Sequence, residues 1–129
     1  MYYKDLLDNI FIALTSHANE IGVPEDSIVF GPESVPTPSL HVMIYPFDNT
    51  SERKTAGFLN ANLEITVVGS GQFGNREAME EVINICQKAK DVVKSVGSLS
   101  FQQIFPVYND DVRTDNAQFV LVFNGFVEF

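Results

Sequence analysis

The stretch Phe58–Val68, FLNANLEITVV, decides the fold class. Leu59, Ala61, Leu63, Ile65 and Val67 share one parity, and Asn60, Asn62, Glu64 and Thr66 take the other. A period of two places these sets on opposite faces of a strand, so the pattern predicts an antiparallel strand with one wet face. Upstream lies the polar stretch Phe47–Gly57, FDNTSERKTAG, longer than the roughly two to five residues of a hairpin connection. Before it, Leu40–Tyr45 alternates again, and Pro46 is expected to end that strand. Pro24, Gly31, Pro32, Pro36 and Pro38 punctuate the preceding passage and leave Ser27–Phe30 as one short strand, expected at a sheet edge. The chain opens on Tyr2–Ile21, where Tyr3, Leu7, Ile10, Leu14, Ala18 and Ile21 recur at helical spacing, widened by Leu6 and Phe11. Gly22 suits the position past the helix end, and Pro24 blocks continuation.

Downstream, GSGQFG leads into a second helix, Arg76–Val96, with Asn75 placed to cap it. Its expected buried stripe is Met79, Val82, Ile83, Cys86, Ala89, Val93 and Val96. Glu77, Glu80 and Glu81 come early and Lys88, Lys90 and Lys94 late, in keeping with the helix dipole, and Gly97 is the stop. Two strands follow, Leu99–Phe105 before Pro106 and Ala117–Phe129 after the acidic turn YNDDVRTDN. In the last strand Phe119, Leu121, Phe123, Val127 and Phe129 share one parity, yet Val120, Val122 and Phe126 make the other parity apolar too. A strand apolar on both faces needs cover on both. Two helices cover one face, and the other points to a partner subunit. The expectation is a single domain, 1–129, of α+β class. Its sheet is mixed, mostly antiparallel and of four to five strands, with two helices on one face in the order α-β-β-β-α-β-β.

Composition narrows the function classes. The chain has 129 residues, 45% of them hydrophobic and 19% charged, which fits an ordered domain with its own core. Eight Lys and Arg against seventeen Asp and Glu give a formal charge of −9, the wrong sign for gripping nucleic acid or anionic lipid. No apolar run reaches the ~18 residues of a membrane helix, and MYYKDLLDNI lacks the basic start of a signal peptide. Cys86 is the only cysteine, so an internal disulfide is excluded and secretion has no support.

Candidate chemistry is sparse. Gly69–Gly74 matches GxGxxG after a strand and before a helix, the arrangement that holds a pyrophosphate at a helix N-terminus. Three features oppose nucleotide binding. The preceding strand carries Glu64 and Thr66, Lys94 and Ser95 stand where an acidic ribose ligand belongs, and 55 residues after Gly74 are too few for further βαβ units. A strand-to-helix turn is the plainer reading. Asp110, Asp111 and Asp115 with Asn109 and Asn116 lack the glycine and distal glutamate of a calcium loop and read as a solvated hairpin. His17, His41 and Cys86 are too scattered for a zinc site. Cys86 lies on an apolar stripe, where a thiol is a small core residue. No serine sits in a GxSxG elbow, and no acid pair is forced together by spacing. The reading is of a non-enzyme with no cofactor and no metal.

The layout resembles the tail terminator proteins of long-tailed bacteriophages, within the wider group of tail-completion and head–tail joining proteins. The likeness rests on element order, length and acidity. It runs through MYYKDLLDNIFIAL, LHVMIYPFDNTSERKTAGFLNANLEITVVG, REAMEEVINICQKAKDVV and FVLVFNGFVEF. The resemblance implies a subunit, made in the host cytoplasm, of a six-fold ring in the virion neck. Such a ring ends polymerisation of the tail tube, meets the tube protein on one side and the head connector or stopper on the other, and has no catalytic residues. DNA would pass its lumen only as cargo, and an acidic ring suits a lumen that repels the genome. In such proteins the loop joining the two long strands reaches toward tube or lumen. Here that loop carries Arg53 and Lys54, which join Val120, Val122 and Phe126 as expected interface residues. A head-side stopper, a non-viral adaptor domain and, more remotely, a nucleotide enzyme are the rival readings.

Overall fold

The computed structural model describes residues 2–47, 58–107 and 116–128. Its elements are α1 (Tyr3–Ser16), α2 (Ala18–Ile21), a 3-10 turn (Glu25–Ser27), β1 (Ile28–Phe30), β2 (Ser39–Phe47), β3 (Phe58–Gln72), α3 (Arg76–Val96), β4 (Ser100–Pro106) and β5 (Asn116–Glu128). The five strands form one mixed sheet in the order β1-β2-β3-β5-β4. Only β1 runs parallel to its neighbour; the remaining pairs are antiparallel. This is the expected α+β class.

The sheet buries one parity under the helices. Leu40, Val42, Ala61, Leu63, Ile65, Val67, Leu121, Phe123 and Val127 form one cluster with Leu6, Ile10 and Leu14 of α1 and Val82, Ile85, Cys86, Ala89 and Val93 of α3. Full burial of such side chains contributes about 1.5–3 kcal/mol each, so packing rather than helix propensity holds α1 and α3 in place. Phe101 adds an edge-on contact to Phe123, ring centroids 5.4 Å apart.

Several local expectations shift. The first helix breaks at His17, whose backbone leaves the helical region (φ −107°, ψ 18°) and whose Nδ1 lies 2.9 Å from the Ala13 carbonyl. Thr15 also donates to the Phe11 carbonyl, and side chains that bond the preceding turn loosen a helix at that point. The centre of the buried stripe is Leu6, with Leu7 half-buried. Gly22 and Gly97 do terminate their helices, both left-handed (φ 93° and 86°). In α3 the buried position is Ile85, and Ile83 is instead 43% exposed.

Pro46 does not end β2, which continues to Phe47 with Pro46 opposite Ala61. β1 covers β2 only as far as Val42, so Pro46 lies where β2 is a sheet edge, the place a strand tolerates a residue with no N–H. β3 runs past Val68 to Gln72 through an irregularity in its pairing with β5. Asn116 Nδ2 donates to the Gly69 carbonyl there at 2.9 Å, which satisfies an acceptor that the broken ladder would strand. No described helix is long and apolar enough to cross a membrane.

Candidate functional site: the sheet face away from the helices

Because α1 and α3 share one side of the sheet, the opposite parity faces outward with no described element packed on it. From β2 it presents His41, Met43 and Tyr45, from β3 Asn60, Asn62, Glu64 and Thr66, and from β5 Val120, Val122, Asn124 and Phe126. The sequence alternation that set Asn60–Thr66 apart as the wet side is what builds this face. Among the residues expected there, Val120 is 8% exposed, Val122 half-buried and Phe126 55% exposed. They form one row down β5. Arg53 and Lys54, like the remainder of the polar loop at 48–57, lie outside the described residues.

Charge distinguishes this face. In all five strands the only charged residues are Glu64 and Glu128, on a chain of net charge −9. Glu64 is engaged, since the Tyr45 hydroxyl donates to its Oε1 at 3.1 Å. Burial is the main cause of a raised Tyr45 pKa; a hydrogen bond from Asn62 opposes the rise, and the Glu64 carboxylate adds to it. The phenol therefore stays protonated and keeps donating. Toward β4 the face hollows into a concavity of about 690 Å³ lined by amides and one ring, including Asn60, Asn62, Gln103, Asn124 and Phe126. Gln102 Nε2 donates to Asn124 Oδ1 across it at 3.0 Å.

His41 lies at the other end of the face and ties down the proline-rich passage. Its Nδ1 is 3.0 Å from the Gly31 carbonyl and its Nε2 2.9 Å from Ser39 Oγ. An imidazole that donates from Nδ1 to a carbonyl accepts at Nε2 from a hydroxyl, an order also found in nucleophilic dyads. Ser39, however, is 1% exposed, so its hydroxyl has no route to a substrate, and Ser27 makes an equivalent tie to the Pro36 carbonyl at 2.7 Å. The His41 imidazole fastens Gly31 to β2, Ser39 holds that imidazole in place, and Ser27 in the 3-10 turn fastens Pro36. Sequence reasoning missed this pairing; the His-x-Ser spacing, read backwards along one strand face, was its only trace.

The glycine motif is resolved into packing. Gly69, Ser70 and Gly71 belong to β3 instead of a loop, and the turn into α3 is confined to 73–75. Asn75 caps α3 as expected, Oδ1 accepting from the Ala78 N–H at 3.1 Å. A Cβ on Gly71 would stand 2.5 Å from the Ala78 Cβ, and one on Gly69 3.3 Å from Val82. Both glycines thus let the first turns of α3 close onto β3. Ser70 reinforces the closure, its N–H and hydroxyl donating to Glu81 Oε1 at 3.1 and 2.6 Å. Gly71→Ala should therefore destabilise the fold by about 1–3 kcal/mol through overpacking. Millimolar NAD, FAD or ATP should leave the melting temperature of the native protein in place. A ligand at a hundred times its Kd adds about 2.7 kcal/mol, so an upward shift that Gly71→Ala abolishes would restore the nucleotide reading.

Cys86 is 3% exposed, and burial pushes its thiol up to about 12 from 9.0. The native thiol stays protonated where the unfolded one ionises. Stability tied to it is fully present below pH 9 and lost on the order of 1 kcal/mol per unit as pH climbs toward 12. At pH 8 a bulky thiol reagent should modify native protein far more slowly than denatured protein; equal rates would mean that α3 is misphased. The acidic group Asn109, Asp110, Asp111 and Asp115 lies outside the described residues. Among those described, no three His, Cys, Asp or Glu side chains gather where a metal could bind. No protein-family model matches the chain, and no curated protein matches it in sequence.

Proposed function

We propose that this chain is a structural subunit of a phage neck, assembling into a ring that ends the tail tube and joins it to the head connector. The observation that carries the reading is the charge-poor sheet face on a strongly acidic chain. Copies of charge −9 repel one another, so a charge-poor face is where they meet at least electrostatic cost, and interface cores are depleted of charge and enriched in aromatic residues. Met43, Phe105 and Phe126, 46%, 38% and 55% exposed, supply apolar contact on the face, and the amides supply hydrogen bonds that a partner can satisfy. Its extent is adequate. Five strands ~4.8 Å apart and nine paired residues along β2 at ~3.3 Å each give a plane on the order of 600 Å², near the ~800 Å² that each partner gives to a standard interface.

The tail-neck assignment itself comes from the resemblance in element order, which the five-stranded sheet with helices on one face accommodates. In this reading the ring is homo-oligomeric, and its flat surfaces meet the tube protein and the connector. The test is negative-stain imaging of the purified protein, alone and after mixing with tail tubes that lack a terminator. Closed rings of uniform diameter, and tubes capped at one end, are the expected result. Dispersed monomers at high concentration would refute the ring, and rings that ignore tubes would move the protein to the head side of the neck.

A further inference from the structure

The assembly reading leaves one question open, namely what surface receives the outward sheet face. The opposite side of the molecule holds an apolar cleft between α3 and β4, about 220 Å³, lined by Ile83, Gln87, Lys90, Phe101 and Ile104, with Cys86 among its walls. Small-molecule sites run ~300–1,000 Å³, so this cleft suits one large side chain. Ile83 and Ile104 are 43% and 46% exposed at it, costly positions for isoleucine with no described element over them. The adjoining edge strand β4, SFQQIFP, carries no charge. The other edge of the sheet, β1, is three residues long and ends at Gly31-Pro32. Short edges and prolines discourage pairing, so of the two terminal strands β4 is the more open to a partner.

Phe126 is the most exposed large apolar side chain of the outward face, and the same chain supplies a charge match. Glu128 shares its parity two residues further along β5, ~7 Å away along the strand. Lys90 Nζ lies 4.2 Å from the centroid of the Phe101 ring, at the cleft.

We infer that subunits join head to tail, Phe126 of one copy seating in the α3–β4 cleft of the next while its Glu128 meets Lys90. This rests on the assembly reading and adds to it the receiving surface. Donor and receiver lie on opposite faces of one sheet, so the contact is not self-complementary, and repetition gives a ring where the rotation closes or a filament where it does not.

Mixing complementary variants tests this directly, because Phe126→Asp keeps a sound cleft and Ile104→Asp a sound donor. Both positions are surface-exposed, and circular dichroism checks the fold. By sedimentation velocity each variant alone should associate at least ~30-fold more weakly than the native chain, the loss expected at an interface hot spot. An equimolar mixture should form a heterodimer and nothing larger, since one intact contact remains. Lys90→Glu should weaken assembly, and adding Glu128→Lys should restore it. If Ile104→Asp assembles like the native chain while Phe126→Asp does not, the cleft is not the receiver, although the assembly reading stands. A mixture that stays monomeric overturns the head-to-tail contact in the same way. A native chain that is monomeric throughout overturns the assembly reading itself.

Discussion

Phe123→Ala should cost about 3–5 kcal/mol and lower the melting temperature by on the order of 10–20 °C. Phe123 is fully buried, the largest side chain so enclosed, and lies opposite Leu63 on β3 and Phe101 on β4. Its truncation removes transfer energy from the ring, leaves a cavity between α3 and the sheet that close-packed neighbours cannot fill, and forfeits the edge-on contact with Phe101. Domains of this size are stable by only ~5–15 kcal/mol in total, so the variant should sit near the limit of folding at 37 °C. Ile104→Ala makes the control: its side chain is 46% exposed in the single chain, and under monomeric conditions it should move stability by less than about 1 kcal/mol. Thermal unfolding of both variants by circular dichroism checks the pair. A loss below 3 °C for Phe123→Ala would mean that the helix–sheet core is not packed as described.

The elements that could be read from sequence were those in which local and tertiary signals agree. α3 is bounded at Arg76 and Val96 as expected because the Asn75 cap and the left-handed Gly97 are both local devices. The alternation of Asn60–Thr66 marks the outward face from sequence alone, since a strand's parity is fixed by its own backbone. Misreadings fall where a residue answers to a distant neighbour. Gly69 and Gly71 look like turn punctuation, but their small size serves Val82 and Ala78 across the helix–strand contact. Pro46 looks like a terminator, and only the shortness of β1 on its flank explains why β2 passes through it. The parallel direction of β1 has no sequence signal at all in a three-residue strand. Ile83 fits the periodic stripe of α3, yet it lies toward the edge strand β4 instead of the sheet centre, so the cleft it borders was invisible until β4 was in place.

Val122→Lys should separate assembly from folding. Val122 is half-buried at the middle of the outward face and stands directly opposite Glu64. A lysine there gains an oppositely charged cross-strand neighbour, a pair contributing about 0.2–1 kcal/mol, so the monomer should melt at or slightly above its usual temperature. At the same time it places a cation in the centre of the face proposed as the contact surface, which otherwise carries almost no charge. Burying that cation against a partner carries a desolvation penalty of several kcal/mol, which corresponds to at least ~30-fold weaker association. A surface that were simply solvent-facing would show the gain in stability and nothing else.

The most direct measurement is the light-scattering mass of the native chain and of Val122→Lys, eluted at the same protein concentration. The account predicts a native mass several times the 14.4 kDa of one chain and a folded Val122→Lys protein at the single-chain mass. A native protein that elutes at 14.4 kDa, or a variant with the native mass, would contradict it.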